Sequence, residues 1–150
     1  MVYFLQIAFI LLHIATAAAW FGAGMRLTGQ TKLISKMEGP GATLVAEDIQ
    51  HALRVMGILL ILTLVFGMGA LIAGGIKGPQ YHTAALLIVI LIALHYFMLQ
   101  PAGKGLVSAT GTSSDMDGLR KRLAMGLGIG HLVWIVILVL MFWHRISTGN

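Results

Sequence analysis

"LLHIATAAAWFGAGMRL", residues 11–27, is an apolar run of membrane grade with one histidine, His13, set well inside it. An ionisable ring in a bilayer core costs free energy unless it has a partner, and such residues mark functional sites. Extended back to Tyr3, the run reaches the roughly 20 residues needed to cross the hydrocarbon core. Three more stretches reach or approach that length, so the spans fall at about Tyr3–Met25, Ala52–Ala73, His82–Gln100 and Leu123–Trp143. The expected fold is therefore all-α: a single domain over residues 1–150, built as an integral membrane four-helix bundle.

Composition agrees. The chain is 58% hydrophobic and 10% charged, with a mean hydropathy of +0.91, whereas ordinary globular domains carry about 25% charged residues. Glycine and proline mark the breaks at "EGPGA", "GGIKGPQ" and "QPAGKG". The connection Thr28–Gln50 has room for one short interfacial helix, "TKLISK", and Ser114 and Asp115 suit the N-cap of the fourth span. The first run has no preceding Lys or Arg and is too long for a cleavable signal core. No cysteine is present, which excludes disulfides, thiolate metal sites and a cysteine nucleophile.

The net charge of +5 does not point to nucleic acid, because the basic residues sit in short loops between apolar runs. Arg26, Lys32, Lys36, Arg54, Lys104, Arg120, Lys121 and Arg122 fall on one side; Lys77 and Arg145 fall on the other. The positive-inside rule makes the first side cytoplasmic and both termini outer, with Tyr3 and Trp143 as outer interfacial anchors. The expected location is the bacterial cytoplasmic (inner) membrane, with membrane lipid as the surrounding partner.

Six histidines differ in depth. At about 1.5 Å rise per residue, His13 lies on the order of 15 Å from the outer end of the first span, and His131 is expected at a similar depth in the fourth. His95 falls about a turn and a half from the inner end of the third span. His51 and His82 sit at helix mouths and His144 is terminal, positions that suit interfacial side chains. The bland reading of His13, His95 and His131 is a ring hydrogen-bonded to a neighbouring helix, worth about 0.6–2 kcal/mol. Three such rings in one small bundle suggest ligands instead, since neutral imidazole is the commonest protein metal ligand and haem iron is regularly held by histidine.

The surroundings suit a large flat group. Gln6, His13 and Trp20 recur every seven residues along one helix face, with Ala17 and Gly24 beside them. "MGLGIGH" places Gly126, Gly128 and Gly130 just before His131; such small residues serve helix packing equally well. Arg26 and Arg54 are candidate partners for haem propionates, while Lys104 reads as a topology signal. Nine methionines raise copper as the alternative cofactor, because thioether suits Cu(I). They form no tight cluster, and gap-filling explains most of them. Glu38, Glu47, Asp48, Asp115 and Asp117 all lie in loops or at helix mouths, so intramembrane acid–base chemistry would fall to histidine or a cofactor.

"FLQIAFILLHIATAAAWFGAGMRL", with His13-Ile14, Trp20-Phe21 and Arg26-Leu27, resembles the first helix of the HemJ-type protoporphyrinogen oxidases, small four-helix membrane proteins of bacteria. The second span is similar at Thr63 and at Gly67 or Gly69, and the third at His82 and His95. A looser likeness extends to CopD-type membrane domains. The resemblance implies a b-type haem held through His13. The family's lysine near the start of the third helix is replaced by Ala84, and its Arg-x-x-Asn-Glu signature is absent from the fourth. The expected cofactor is thus one haem b, with His13 and His131 as axial ligands and His95 as the second choice, or two haems if His51 and His95 hold another. Trp20, Arg26 and Arg54 complete the expected site. The expected function is electron transfer within or beside a quinone-linked redox complex, in a chain that also suits a homo-oligomer. The alternatives are a protoporphyrinogen oxidase-like enzyme, a copper-handling protein, and a cofactor-free accessory subunit.

Overall fold

The computed structural model describes residues 2–37, 39–75, 78–110 and 116–148, with side chains for all of these except Val2 and 144–148. Four long helices account for nearly all of it: α1 Val2–Leu33, α2 Pro40–Gly74, α3 Pro79–Ala109 and α4 Met116–Thr148. All four are long and apolar enough to cross a membrane.

Local signals place the ends. Pro40 and Pro79 each open a helix at its first turn, where the missing N–H costs nothing and φ is already set. Gly75 closes α2 in the left-handed region at φ +58°, its N–H bonding to the Leu71 and Ile72 carbonyls. Inside α3, His95–Leu99 forms a π turn, a one-turn widening that inserts an extra residue and re-aims the side chains around it.

The helices overrun the expected spans. At 31–35 residues, each runs about 45–50 Å, against about 30 Å of hydrocarbon. The separate interfacial helix expected at "TKLISK" is not formed. Thr31–Leu33 belong to α1, and Ile34–Lys36 add one 3-10 turn. The reason is that α1 has an apolar partner there: Leu27 and Ile34 are fully buried with Ile49 and Leu53 of α2 in one core. The expected N-cap residues Ser114 and Asp115, together with Glu38 and Lys77, lie outside the described residues, as do the side chains of His144 and Arg145.

Neighbours run antiparallel. His13 pairs with Thr63 and Arg26 with Asp48 across α1 and α2. The α carbon of Gly57 faces His95, and that of Gly103 faces Gln50, across α2 and α3; Gly126 faces Leu99 across α3 and α4. Phe21 stacks on Trp134 across α1 and α4. The bundle is therefore up-down-up-down, with a terminal end near Val2, Gly74, Pro79 and Thr148 and a loop end opposite. Its densest core is in the loop half, around Leu27, Ile49, Leu53, Met56, Leu106 and Leu123. Side chains such as Ile7, Leu11, Ile72 and Leu86 point outward, as expected where lipid replaces water.

Candidate functional site

A cavity of about 520 Å3 opens among all four helices in the terminal half, within the roughly 300–1,000 Å3 usual for small-molecule and cofactor sites. Its walls are almost wholly apolar. Ala17 and Ala18 of α1, Ala70 of α2, and Ala84 and Ala85 of α3 line it, and their small size leaves the space unfilled. His13, Tyr81 and the Trp134 indole are the only polar side chains on the wall among the described residues, and no charged residue lines it. A smaller chamber of about 40 Å3 adjoins it, sharing His13, Ala17, Ile88 and Trp134 and adding Trp20 and Thr63. That is room for a water, which needs only about 10–15 Å3 of this kind of volume.

His13 is half-buried, and its Nδ1 lies 2.8 Å from the Thr63 carbonyl oxygen. A carbonyl only accepts, so Nδ1 carries the proton and Nε2 keeps its lone pair. A histidine that ligates a metal is commonly fixed in this way, by donation from its second nitrogen to a backbone carbonyl. The backbone around it is shaped to fit. A Cβ added at Gly67 would meet His13 Nδ1 at 2.9 Å. One turn along, the Thr63 hydroxyl lies 3.0 Å from Thr16 Oγ1 and 2.7 Å from the Leu59 carbonyl, either of which can accept its proton, while the Thr16 hydroxyl donates back to the Leu12 carbonyl at 2.9 Å.

His131 is not opposite His13. Its ring packs edge-on against Phe21, with centroids 5.0 Å apart, and against Trp20 at 6.1 Å. A Cβ on Gly24 would meet its Nε2 at 2.6 Å. It therefore sits level with residues 20–24 of α1, about 10–16 Å along the axis from His13, and lines neither cavity. The expected equal depth is not found. Side chains tilt toward the N-terminus of their own helix, so in antiparallel helices the two rings lean apart. The two cannot grip one iron in this arrangement.

The other expected residues also disperse. His95 is fully buried (0% exposed) against α2 and away from the cavity. His51 and His82 are exposed, so His51 and His95 do not face each other across a haem-sized space. Trp20 is 2% exposed and lines only the small chamber, with Nε1 unpartnered. Arg26 pairs with Asp48, which also accepts from Gln30, and both partners of that pair are largely exposed. Arg54 and Lys104 are exposed as well. Neither arginine lines the cavity, so the expected propionate pairing has no support in the geometry. No group of three or more His, Cys, Asp or Glu side chains able to hold a metal ion occurs among the described residues.

Tyr81, Thr16 and Met141 are wall or support residues that sequence reasoning passed over. Thr16 is one turn from His13, and that spacing was the available signal. Comparison of the chain with protein families, curated proteins and solved structures found no match.

Proposed function

We propose that the protein is an integral membrane b-type haem protein of the bacterial cytoplasmic membrane, both termini outward, that transfers electrons beside a quinone-linked chain. The observation that carries this reading is His13. Its tautomer is fixed by Thr63, and its free Nε2 belongs to a ring on the wall of an apolar cavity of cofactor size. The residues fit the apolar face of a porphyrin, with one imidazole donor, alanine-lined walls, and Gly67 where any side chain would displace the ring, while the described wall residues offer the propionates no cationic partner. The resemblance to HemJ-type proteins at His13, Trp20 and Arg26 adds to it. Bound haem would supply one-electron chemistry. The chain's own residues hold the imidazole in one tautomer.

A second reading is favoured by one finding: among the described side chains, which do not include that of His144, His13 is the one histidine on the cavity wall. A haem held by His13 alone would have capacity for a substrate beside it, as a protoporphyrinogen oxidase-like enzyme requires. Ala84, at the family's lysine position, lies on this same wall. For copper the wall offers His13 with the thioethers of Met68 and Met141, in a cavity far larger than one ion needs. The exposed apolar faces suit lipid, a larger redox complex or a homo-oligomer.

The test is a dithionite-reduced optical spectrum of the purified full-length protein, with His13→Ala and His131→Ala beside it. Haem bands that acid–acetone extracts, lost in His13→Ala and kept in His131→Ala, support the proposal. Colourless protein from haem-replete cells refutes it, as does a His13→Ala variant with full haem and an unchanged spectrum. Rescue of a strain lacking protoporphyrinogen oxidase, abolished by His13→Ala, would select the enzyme reading.

A further inference from the structure

The loop half of the bundle buries a second polar group of residues, unconnected with the cavity. The π turn of α3 directs His95 into α2, where its ring is fully buried. Gln100 Nε2 lies 3.3 Å from His95 Nε2, and Gln50 Nε2 donates to Gln100 Oε1 at 3.3 Å. Two glycines make this possible. A Cβ on Gly57 would meet His95 Nε2 at 2.9 Å, and one on Gly103 would meet Gln50 Oε1 at 2.6 Å.

The chain has a direction. Because Gln50 donates to the Gln100 oxygen, Gln100 presents its NH2 to His95, whose Nε2 must accept and whose proton sits on Nδ1. At the two ends of the chain, the His95 ring reaches the Leu53 backbone and Gln50 Oε1 is left without a partner. Rotating both carboxamides by a half-turn keeps their shape and reverses every bond. Gln100 Oε1 then accepts from a protonated His95 Nε2, and Gln100 Nε2 donates to the formerly orphaned Gln50 Oε1. The same side chains thus serve either state of Nε2.

We propose that His95, Gln100 and Gln50 form a proton-binding site: a proton from the loop-end side is taken up at His95 Nε2 as the amides rotate to accept it, and it returns to the loop-end side when they rotate back. The step is proton transfer only: uptake gives the imidazolium with a proton on each nitrogen, and release restores the Nδ1–H ring. A bilayer interior opposes a lasting imidazolium, so the charged state is transient. Gln100 is half-buried and gives the chain its access to the loop end. The groups flanking the ring are Tyr96, whose ring centroid is 5.3 Å away, with Leu53 and Gly57 of α2. Arg54 of α2, Lys104 of α3 and Arg122 of α4 lie on exposed faces, Asp48 is paired with Arg26, and His131 turns to α1. The ring therefore depends on its amide neighbours. Nothing in this proposal requires the cavity to hold haem.

Histidine side-chain nitrogen NMR on the full chain in lipid nanodiscs tests it, with His95→Gln assigning the signal. At neutral pH His95 should show the Nδ1–H tautomer, whereas free imidazole side chains favour Nε2–H. On acidification to pH 4 its signal should move toward the imidazolium position. Gln100→Leu removes the amide that partners Nε2, so the tautomer preference should weaken and proton affinity should fall about tenfold or more. If Gln100→Leu does not fold, Gln50→Leu should move the titration in the same direction by less. A wild-type Nε2–H tautomer, no movement by pH 4, or a titration that the amide variants leave unchanged would each overturn the proposal.

Discussion

Replacing Gly67 by alanine probes the support of His13 without touching the histidine. The new Cβ would stand 2.9 Å from Nδ1 and 3.0 Å from Cε1, and ordinary contact begins near 3.4 Å, so the ring must retreat by about 0.5 Å. That movement stretches the 2.8 Å bond to Thr63 toward the weak limit of hydrogen bonding. In a membrane such a bond is worth about 0.6 kcal/mol on average and about 1.7 at most. Forcing a methyl into a packed contact adds about 1–3 kcal/mol. Alanine returns about 1 kcal/mol through its better helix propensity. The net expectation is a loss of about 1–3 kcal/mol, together with weaker haem retention because Nε2 is no longer held in place. Gly128→Ala is the control: its Cβ would meet nothing within 4 Å, so only the propensity gain remains and stability should rise by up to about 1 kcal/mol. Unfolding by sodium dodecyl sulfate in mixed micelles reads the first effect, and haem bound per chain reads the second. Equal behaviour of the two variants in both assays would refute the argument.

Two further expectations concern His131 and the orientation. Gly24→Ala places a Cβ 2.6 Å from His131 Nε2 and should destabilise the bundle by about 1–3 kcal/mol, while haem per folded chain stays at the wild-type level; loss of haem in proportion to that of His13→Ala would show that His131 belongs to the site. A reporter active only in the cytoplasm, fused after Asn150, should give no signal, because eight basic residues flank the loop end; a strong signal would invert the orientation.

The four helices were legible because apolar length alone demands them, and Pro40 and Pro79 mark two of their starts. Their true ends were not legible. Beyond the lipid a helix needs only a packing partner, and Ile34 against α2 is invisible in a hydropathy count. His13 stood out because one ring in "LLHIATAAAW" has no innocent neighbour in sequence. Thr63 was noticed for its resemblance, but its carbonyl as the partner of Nδ1 depends on the register between α1 and α2. His131 misled for a definite reason. Counting residues inward from span ends assumes that side chains leave the helix at right angles, and antiparallel tilt separates two rings that the count places level. The Gln50–Gln100–His95 chain depends on a π turn, which no pattern in "LHYFMLQ" announces.

Arg26 and Asp48 form an exposed ion pair between α1 and α2, with the half-buried Gln30 beside it, and such a pair belongs at the water boundary. From there to His13 is about 20 Å of helix, or roughly two-thirds of a 30 Å hydrocarbon core. Under the proposed orientation and haem site, an electron exchanged between the cytoplasmic face and His13 would cross about two-thirds of the transmembrane field. At about 2.3 kcal/mol per charge for each 100 mV of full crossing, that is about 1.5 kcal/mol per 100 mV. Redox turnover at this cavity would be electrogenic, and its apparent midpoint potential would follow the energised state of the membrane.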